Sequence, residues 1–255
     1  MIMTTGPRIV KKLSGHSGSE IYLMENSNGL FVRKIGNTER NRKRLIPLQA
    51  VGFPVPKIYN VDGDSFDMEY FHGLDMKNYL VSHNTNQLEE FLFKTLTKLK
   101  SICVDKAKDF TETYYQKLAW MDTSTEAFPF TKQQLIDKLP KILPHTSYLG
   151  DLTLENIIYT INGFKLIDPV TIEYDSYVFD IAKLRQDLEC RWFLRREPTK
   201  LGAKLHNIQN KLFEDFPEAN NDYLLILMLL RVYLHTTKGD LEYNFIMDEI
   251  KRLWK

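Results

Sequence analysis

The hydrophobic pattern of this 255-residue chain changes from strand-like to mainly helical period near residue 72, and that change limits the folds open to it. Before it, RIVKKLS, EIYLMEN, GLFVRKI, KIYNV and SFDMEYF are short segments rich in β-branched and aromatic residues. SGHSGS and NSNG separate the first three, and such Gly, Ser and Asn runs favour tight turns. The pattern predicts five antiparallel strands, interrupted by a basic helical stretch, TERNRKRLIPLQAV, in which Pro47 predicts a kink or an early stop. From about Leu74 the apolar residues recur at three- and four-residue steps instead. Leu88, Phe91, Leu92, Leu96, Leu99 and Ile102 form one such stripe; Val178, Ile181, Leu184 and Leu188 form a second, and Leu201, Leu205, Ile208 and Leu212 a third. A last helix begins after Gly239 and Asp240. One strand-like island, 156–170, turns at Asn162-Gly163. The expectation is an α+β chain: a small five-stranded antiparallel β lobe over 1–72 and a larger, mostly helical lobe over 73–255.

Composition narrows the class. Lys and Arg number 34 against 33 Asp and Glu, a net charge of +1, which argues against a mainly electrostatic nucleic-acid binder. The longest apolar run, Tyr223–Leu230, is far shorter than the ~20 residues that span a bilayer, so no membrane partner is expected. Only Cys103 and Cys190 are present, both within helix-like apolar patterns, and they read as reduced core thiols. With a start, MIMTTGPRIVKK, that lacks a signal-like apolar core, the expected location is cytoplasmic.

The densest chemistry lies around the island. Gly150-Asp151-Leu152-Thr153-Leu154-Glu155-Asn156 precedes Leu166-Ile167-Asp168-Pro169. An aspartate, an asparagine five residues on and a second aspartate twelve residues further suit a phosphoryl-transfer loop and its metal strand. Such a reaction needs an acceptor hydroxyl oriented, its proton accepted, and phosphate charge neutralised by Mg²⁺. Hard Mg²⁺ takes oxygen ligands, which the Asp168 carboxylate and the Asn156 amide supply.

GDLTLEN, LIDP and Tyr177-Val178-Phe179-Asp180-Ile181-Ala182-Lys183-Leu184 together resemble the aminoglycoside phosphotransferase and choline kinase group of the protein-kinase-like fold. The resemblance runs in order over nearly the whole chain. It implies a bilobal kinase-like protein, with 1–72 as nucleotide-binding lobe and 73–255 as catalytic and substrate lobe. Its cofactors are Mg²⁺ and ATP, with GTP possible. Asp151 matches the family's catalytic base, Asn156 and Asp168 its magnesium ligands, and Asp180 a buried aspartate that braces the loop. Ser14, Gly15, Ser17, Gly18 and Ser19 match the turn whose backbone N–H groups cover the phosphates.

On the third strand Arg33 and Lys34 point to opposite faces. The kinase pattern sets a small apolar residue two before the phosphate-binding cation, which Val32 fits, so Lys34 is favoured over Arg33. Glu39 is the carboxylate offered to pair with it, about a turn earlier than the pattern sets it. Met68, Glu69 and Tyr70 fall at the hinge, where backbone groups meet an adenine edge. Two departures stand out. Leu149 replaces the histidine usual two before the base, which bears on loop geometry more than on chemistry. Pro169 comes directly after the metal aspartate, as in small-molecule kinases.

Only eleven residues separate Asp168 from Asp180, too few for a peptide-docking segment. A small hydroxylated acceptor such as a sugar, amino sugar or amino alcohol is therefore expected, and a protein kinase is disfavoured. The alternative is a non-catalytic, nucleotide-sensing module, against which the intact Asp151, Asn156 and Asp168 set argues. Candidate acceptor contacts are Glu173, Asp175, Arg191, Trp192 and Arg195, with Arg196 beside them. Arg191 and Arg195 would share a helical face as i and i+4 neighbours, with Trp192 as a platform favouring a neutral or acidic acceptor over a polyamine sugar.

Overall fold

The computed structural model describes residues 6–13, 19–36, 38–170, 172–196, 201–217 and 220–255. The chain forms two compact units, 1–79 with 156–171, and 80–155 with 172–255. The architecture is α+β, with a five-stranded antiparallel sheet and, among the described residues, nine α-helices.

In the first unit, β1 (Arg8–Leu13), β2 (Glu20–Asn26) and β3 (Gly29–Ile35) run as consecutive antiparallel neighbours. Gly29 closes the β2–β3 turn at φ 115°, a conformation open to glycine because it has no Cβ. Helix α1 (Thr38–Ala50) comes next, then β4 (Ile58–Asp62) and β5 (Ser65–Glu69), giving the sheet order β1-β2-β3-β5-β4. Pro47 does not stop α1 early: the helix runs three residues past it to Ala50. A proline forfeits only its own N–H, while its carbonyl still accepts from Val51 at 3.2 Å. Leu45 and Leu48, at 1% and 0% exposure, bury the helix on either side of it.

The returning segment 156–171 belongs to this unit because β6 (Leu74–Asp75) pairs with it. The other two strands of that small sheet are β9 (Ile157–Thr160) and β10 (Gly163–Leu166). Tyr79, Tyr159 and Phe164 pack ring to ring beneath it, with centroids 4.7–5.0 Å apart.

The second unit starts within α2 (Met76–Ser82) and continues through α3 (Asn86–Ser101). Leu88, Leu92, Leu96 and Leu99, all at 0% exposure, form the buried stripe of α3. Then come β7 (Cys103–Asp109), α4 (Thr111–Lys117), α5 (Lys132–Lys138) and β8 (Ile142–Thr146). The last four helices are α6 (Tyr177–Leu188), α7 (Gly202–Asp215), α8 (Asp222–Tyr233) and α9 (Leu241–Leu253). Ser176, Asn221 and Asp240 cap α6, α8 and α9 by accepting from backbone amides of the first turn.

Helix α6 is the axis of this unit, for every residue from Tyr177 to Leu188 is buried. Burial of a cation on such a helix requires counter-charges. Arg185 finds Glu189 at 2.6 Å and Asp222 at 2.8 Å, and lies over the Phe213 ring.

Two features differ from the sequence expectation. The helical region carries a second antiparallel pair, β7 with β8. Cys103 opens β7 and is exposed, not a core thiol in a helix, whereas Cys190 is buried and burial pushes its thiol up; both are free. Among the described residues no helix is long and apolar enough to cross a membrane.

Gly73 leads into β6, and a Cβ there would lie 2.2 Å from the Tyr159 carbonyl oxygen. That neighbour is backbone and cannot move aside without loosening the β6–β9 pairing. Gly73→Ala should therefore lower unfolding free energy by about 1–3 kcal/mol, read by urea denaturation. An unchanged midpoint would refute the close approach.

Candidate active site

In the second unit the loop 149–154 is held by one face of α6. Gly150 turns at φ 85°. The Asp180 carboxylate, 1% exposed, accepts from both the Leu149 amide (2.6 Å) and the Gly150 amide (2.8 Å). Lys183 places its ammonium 3.3 Å from Asp151 Oδ1 and donates to Gln186 Oε1 at 3.2 Å. Asp187 Oδ2 accepts from the Leu154 amide at 2.6 Å. On the carbonyl side, Arg231 Nη2 donates to Gly150 O at 3.1 Å. Asp180, Lys183 and Asp187 are spaced three and four residues apart, hence on one helical face, and they grip the loop in chain order. Asp151 itself keeps 30% side-chain exposure, enough to meet a reacting group.

In the first unit Lys34 and Asp168, 134 residues apart, meet at 2.7 Å between Nζ and Oδ1. Lys34 is 1% exposed, and the Asn41 amide, on α1, donates to the same Oδ1 at 2.7 Å. Asp168 adopts φ 49°, a left-handed conformation uncommon for a non-glycine residue and concentrated at functional sites. Ile167 N donates to Asn156 O at 2.9 Å, which brings Asn156 alongside the Asp168 turn. The donor set of Asp168 and Asn156 is all oxygen and suits a hard divalent cation such as Mg²⁺. Among the described residues no group of three or more His, Cys, Asp or Glu is placed to hold a metal; around Asp168 and Asn156 the remaining positions of an octahedral Mg²⁺ would fall to other oxygens, of water or phosphate.

Arg33 and Lys34 separate as strand alternation requires. Arg33 makes a two-pronged ion pair with its cross-strand partner Asp67, at 2.7 and 2.8 Å. Ser19 Oγ donates to Gly36 O at 2.6 Å; Ser14, Gly15, Ser17 and Gly18 lie outside the described residues. Met68 and Glu69 sit in β5, an interior strand, and the Glu69 amide is engaged by Lys57 O at 2.8 Å. Tyr70 packs edge-on against His72.

Several expected contacts are not made. Glu39 pairs with Lys43 at 2.9 Å on the exposed side of α1 and does not reach Lys34. Residues two apart on a helix point to nearly opposite sides, so it is Asn41 that faces Asp168. Arg191 and Arg195 do not share a helical face. Arg191 is left-handed at φ 61°, and only the single 3₁₀ turn Trp192–Leu194 comes after it. The Arg191 guanidinium lies over Gly202, while Arg195 binds Glu155 at 2.8 Å and stacks 4.0 Å above Trp192. Trp192 is 5% exposed, with its ring against Phe245, and offers no open platform. Arg196 pairs with Glu242 at 2.6 Å. Glu173 pairs with Lys117, and Asp175 is held by Lys108 at 2.6 Å and His145 at 2.8 Å.

Asn41, Lys183 and Asp187 do not stand out as site residues in the sequence. Lys183 and Asp187 carry one signal, their i+3 and i+7 spacing from Asp180; Asn41 lies in a charged run with none. Burial, together with the Glu155 carboxylate, pushes Asp187 up to about 7, against the opposing pull of the Leu154 amide and Lys183. An acid whose folded value exceeds its unfolded one binds its proton more tightly when folded. Its contribution is then complete below the unfolded value near 3.8 and is lost as pH rises through about 7. Asp187→Asn keeps the acceptor for Leu154 without the charge. Its stability should match the parent near about pH 4 and exceed it increasingly up to about pH 8. A pH-independent gap in thermal midpoints would contradict the assignment.

No protein-family model and no curated protein sequence matches the chain. Solved structures do. A protein assigned as a fructosamine-3-kinase from Haemophilus somnus superposes with a TM-score of 0.68 at 16% identity, covering 98% of this chain and 92% of the other. The aminoglycoside phosphotransferase APH(4)-Ia gives 0.69 at 8% identity over 97% and 93%. A choline kinase from Cryptosporidium parvum gives 0.60 at 10% identity over 97% and 88%. The chain thus has the protein-kinase-like fold shared by the fructosamine, choline and aminoglycoside kinases.

Proposed function

We propose that this protein is a small-molecule kinase that transfers the γ-phosphoryl group of ATP or GTP to a hydroxyl of a small acceptor. The observation that carries this reading is the 2.7 Å contact between buried Lys34 and Asp168, which unites the β3 cation with the hairpin carboxylate. In this reading Lys34 binds the nucleotide phosphates, and Asp168 and Asn156 hold Mg²⁺. When bound, that ion neutralises the β- and γ-phosphate charge. Asp151 orients the acceptor hydroxyl and takes its proton, at a carboxylate fixed by the loop contacts to α6. In this reading Ser19, at the phosphates, and Met68–Tyr70, at the adenine edge, complete the nucleotide contacts.

The acceptor is taken to be a sugar, amino sugar or amino alcohol. Only eight residues separate Asp168 from the start of α6 at Tyr177, which leaves no peptide-docking segment. A structure of the aminoglycoside phosphotransferase neighbour holds ADP and hygromycin B together, the kind of ternary complex this reading requires. Arg195 is engaged by Glu155 and the Trp192 ring, and Arg191 does not share a face with it, so the two do not form the paired anion clamp expected from the sequence.

The test is a coupled ADP-release screen over sugars, amino sugars and amino alcohols, with ATP or GTP and Mg²⁺. Acceptor-dependent ADP release is expected. Nucleotide binding without turnover on any acceptor would favour a nucleotide-sensing module instead. Asp151→Asn should cut kcat by roughly 10²–10⁴ while nucleotide affinity stays near the parent value. Turnover within a few-fold of the parent would remove Asp151 from the base role.

Asp168→Ala should abolish the magnesium-dependent part of nucleotide stabilisation in a thermal-shift assay. Lys34→Ala should weaken nucleotide binding about tenfold or more, whereas Arg33→Ala, which loses only the Asp67 pair, should leave it near the parent value. The reverse ranking would transfer the phosphate contact to Arg33.

A further inference from the structure

Helix α6 buries two cations, and they are satisfied differently. Arg185 is matched by two carboxylates, Glu189 and Asp222, and needs nothing else to offset its desolvation. Lys183 is 6% exposed, and its ammonium meets one amide oxygen, on Gln186, and one carboxylate, on Asp151. For packing alone, a methionine of similar length would fill the slot without removing a charge from water. Nor is Asp187 an adequate counter-charge. It is wholly buried, its proton is held up to about 7, and its Oδ2 already accepts from Leu154. The firm partner of the buried ammonium is Asp151.

We infer that Lys183 is a positioning residue for Asp151: its buried ammonium fixes the orientation of that carboxylate and keeps it ionised at the moment it must accept a proton. The functional meaning of this assignment rests on Asp151 being the base; the electrostatic assignment itself does not. Asp180 sets the loop backbone through the Leu149 and Gly150 amides, and Arg231 does so through the Gly150 carbonyl. Neither contact is to the Asp151 carboxylate. Burial, and with it the Glu155 and Asp151 carboxylates, pushes the Asp187 acid up, so near neutral pH Asp187 is at most a partial counter-charge to Lys183.

The experiment needs neither nucleotide nor acceptor, so an inactive parent would defeat the kinase reading and leave this one standing. Aspartate carboxyl carbons are labelled with ¹³C, and the Asp151 signal is identified by its loss in Asp151→Asn. Removing an opposite charge within about 4–6 Å raises a carboxylate's midpoint by about one unit or more. Lys183→Met should produce that rise, and Lys183→Arg should largely reverse it. A midpoint that stays within about 0.3 units of the parent in Lys183→Met overturns the inference.

A second arm covers the case in which Lys183→Met does not fold. In the parent protein the Lys183 ¹⁵Nζ resonance should shift with the protonation of Asp151, and that inflection should vanish in Asp151→Asn. A ¹⁵Nζ titration curve indifferent to Asp151→Asn also overturns it. A merely structural lysine would change the melting temperature on replacement but would move neither titration.

Discussion

Two backbone amides, those of Leu149 and Gly150, point at one buried carboxylate. Asp180 receives both at 2.6 and 2.8 Å, and the loop that carries Asp151 and leads to Asn156 hangs from that double contact. A carboxylate 1% exposed would be costly alone, and two charge-assisted hydrogen bonds offset much of that cost. Because the donors are backbone groups, the anchor does not depend on which side chain occupies position 149. Leu149 is buried at 3% exposure and still delivers its amide, so a leucine serves at this position as well as a polar residue would. Ser176, which caps α6, and the fully buried flanks of that helix then hold Asp180 in place.

The first unit solves a parallel problem with different parts. Asp168 is turned into a left-handed conformation, and its Oδ1 is held by an ammonium from β3 and an amide from α1. An amide at Asn41 supports the carboxylate without adding a second negative charge beside Lys34. Among the described residues, Asp168 is the one acid paired with Lys34.

Much of this is readable in the sequence, for identifiable reasons. The five strands announce themselves through β-branched alternation and glycine- or asparagine-containing turns. Asp151, Asn156, Asp168 and Asp180 can be picked out because the reaction proposed for them constrains residue type and spacing together. The pair β7–β8 is not, since six of the seven residues of β7 are exposed and no apolar alternation marks it. Asn41 sits in the run Glu39-Arg40-Asn41-Arg42-Lys43-Arg44, where only tertiary packing decides which side chain turns inward. The pairing of Arg191 with Arg195 fails for a local reason: Arg191 leaves the helical conformation with no glycine to signal it, and one left-handed residue resets the phase of the chain beyond it.

The grip of α6 on the loop has a consequence for how such a chain can diverge. Each residue added to a helix rotates the remainder of that helix by about 100°. One residue inserted between Asp180 and Asp187 would leave the first anchor seated and swing the last away from Leu154. Substitutions that keep the count preserve the geometry even when they erase recognisable identity. The information held here is therefore partly metrical: the length of chain between two acids matters to the geometry as much as the letters that fill it.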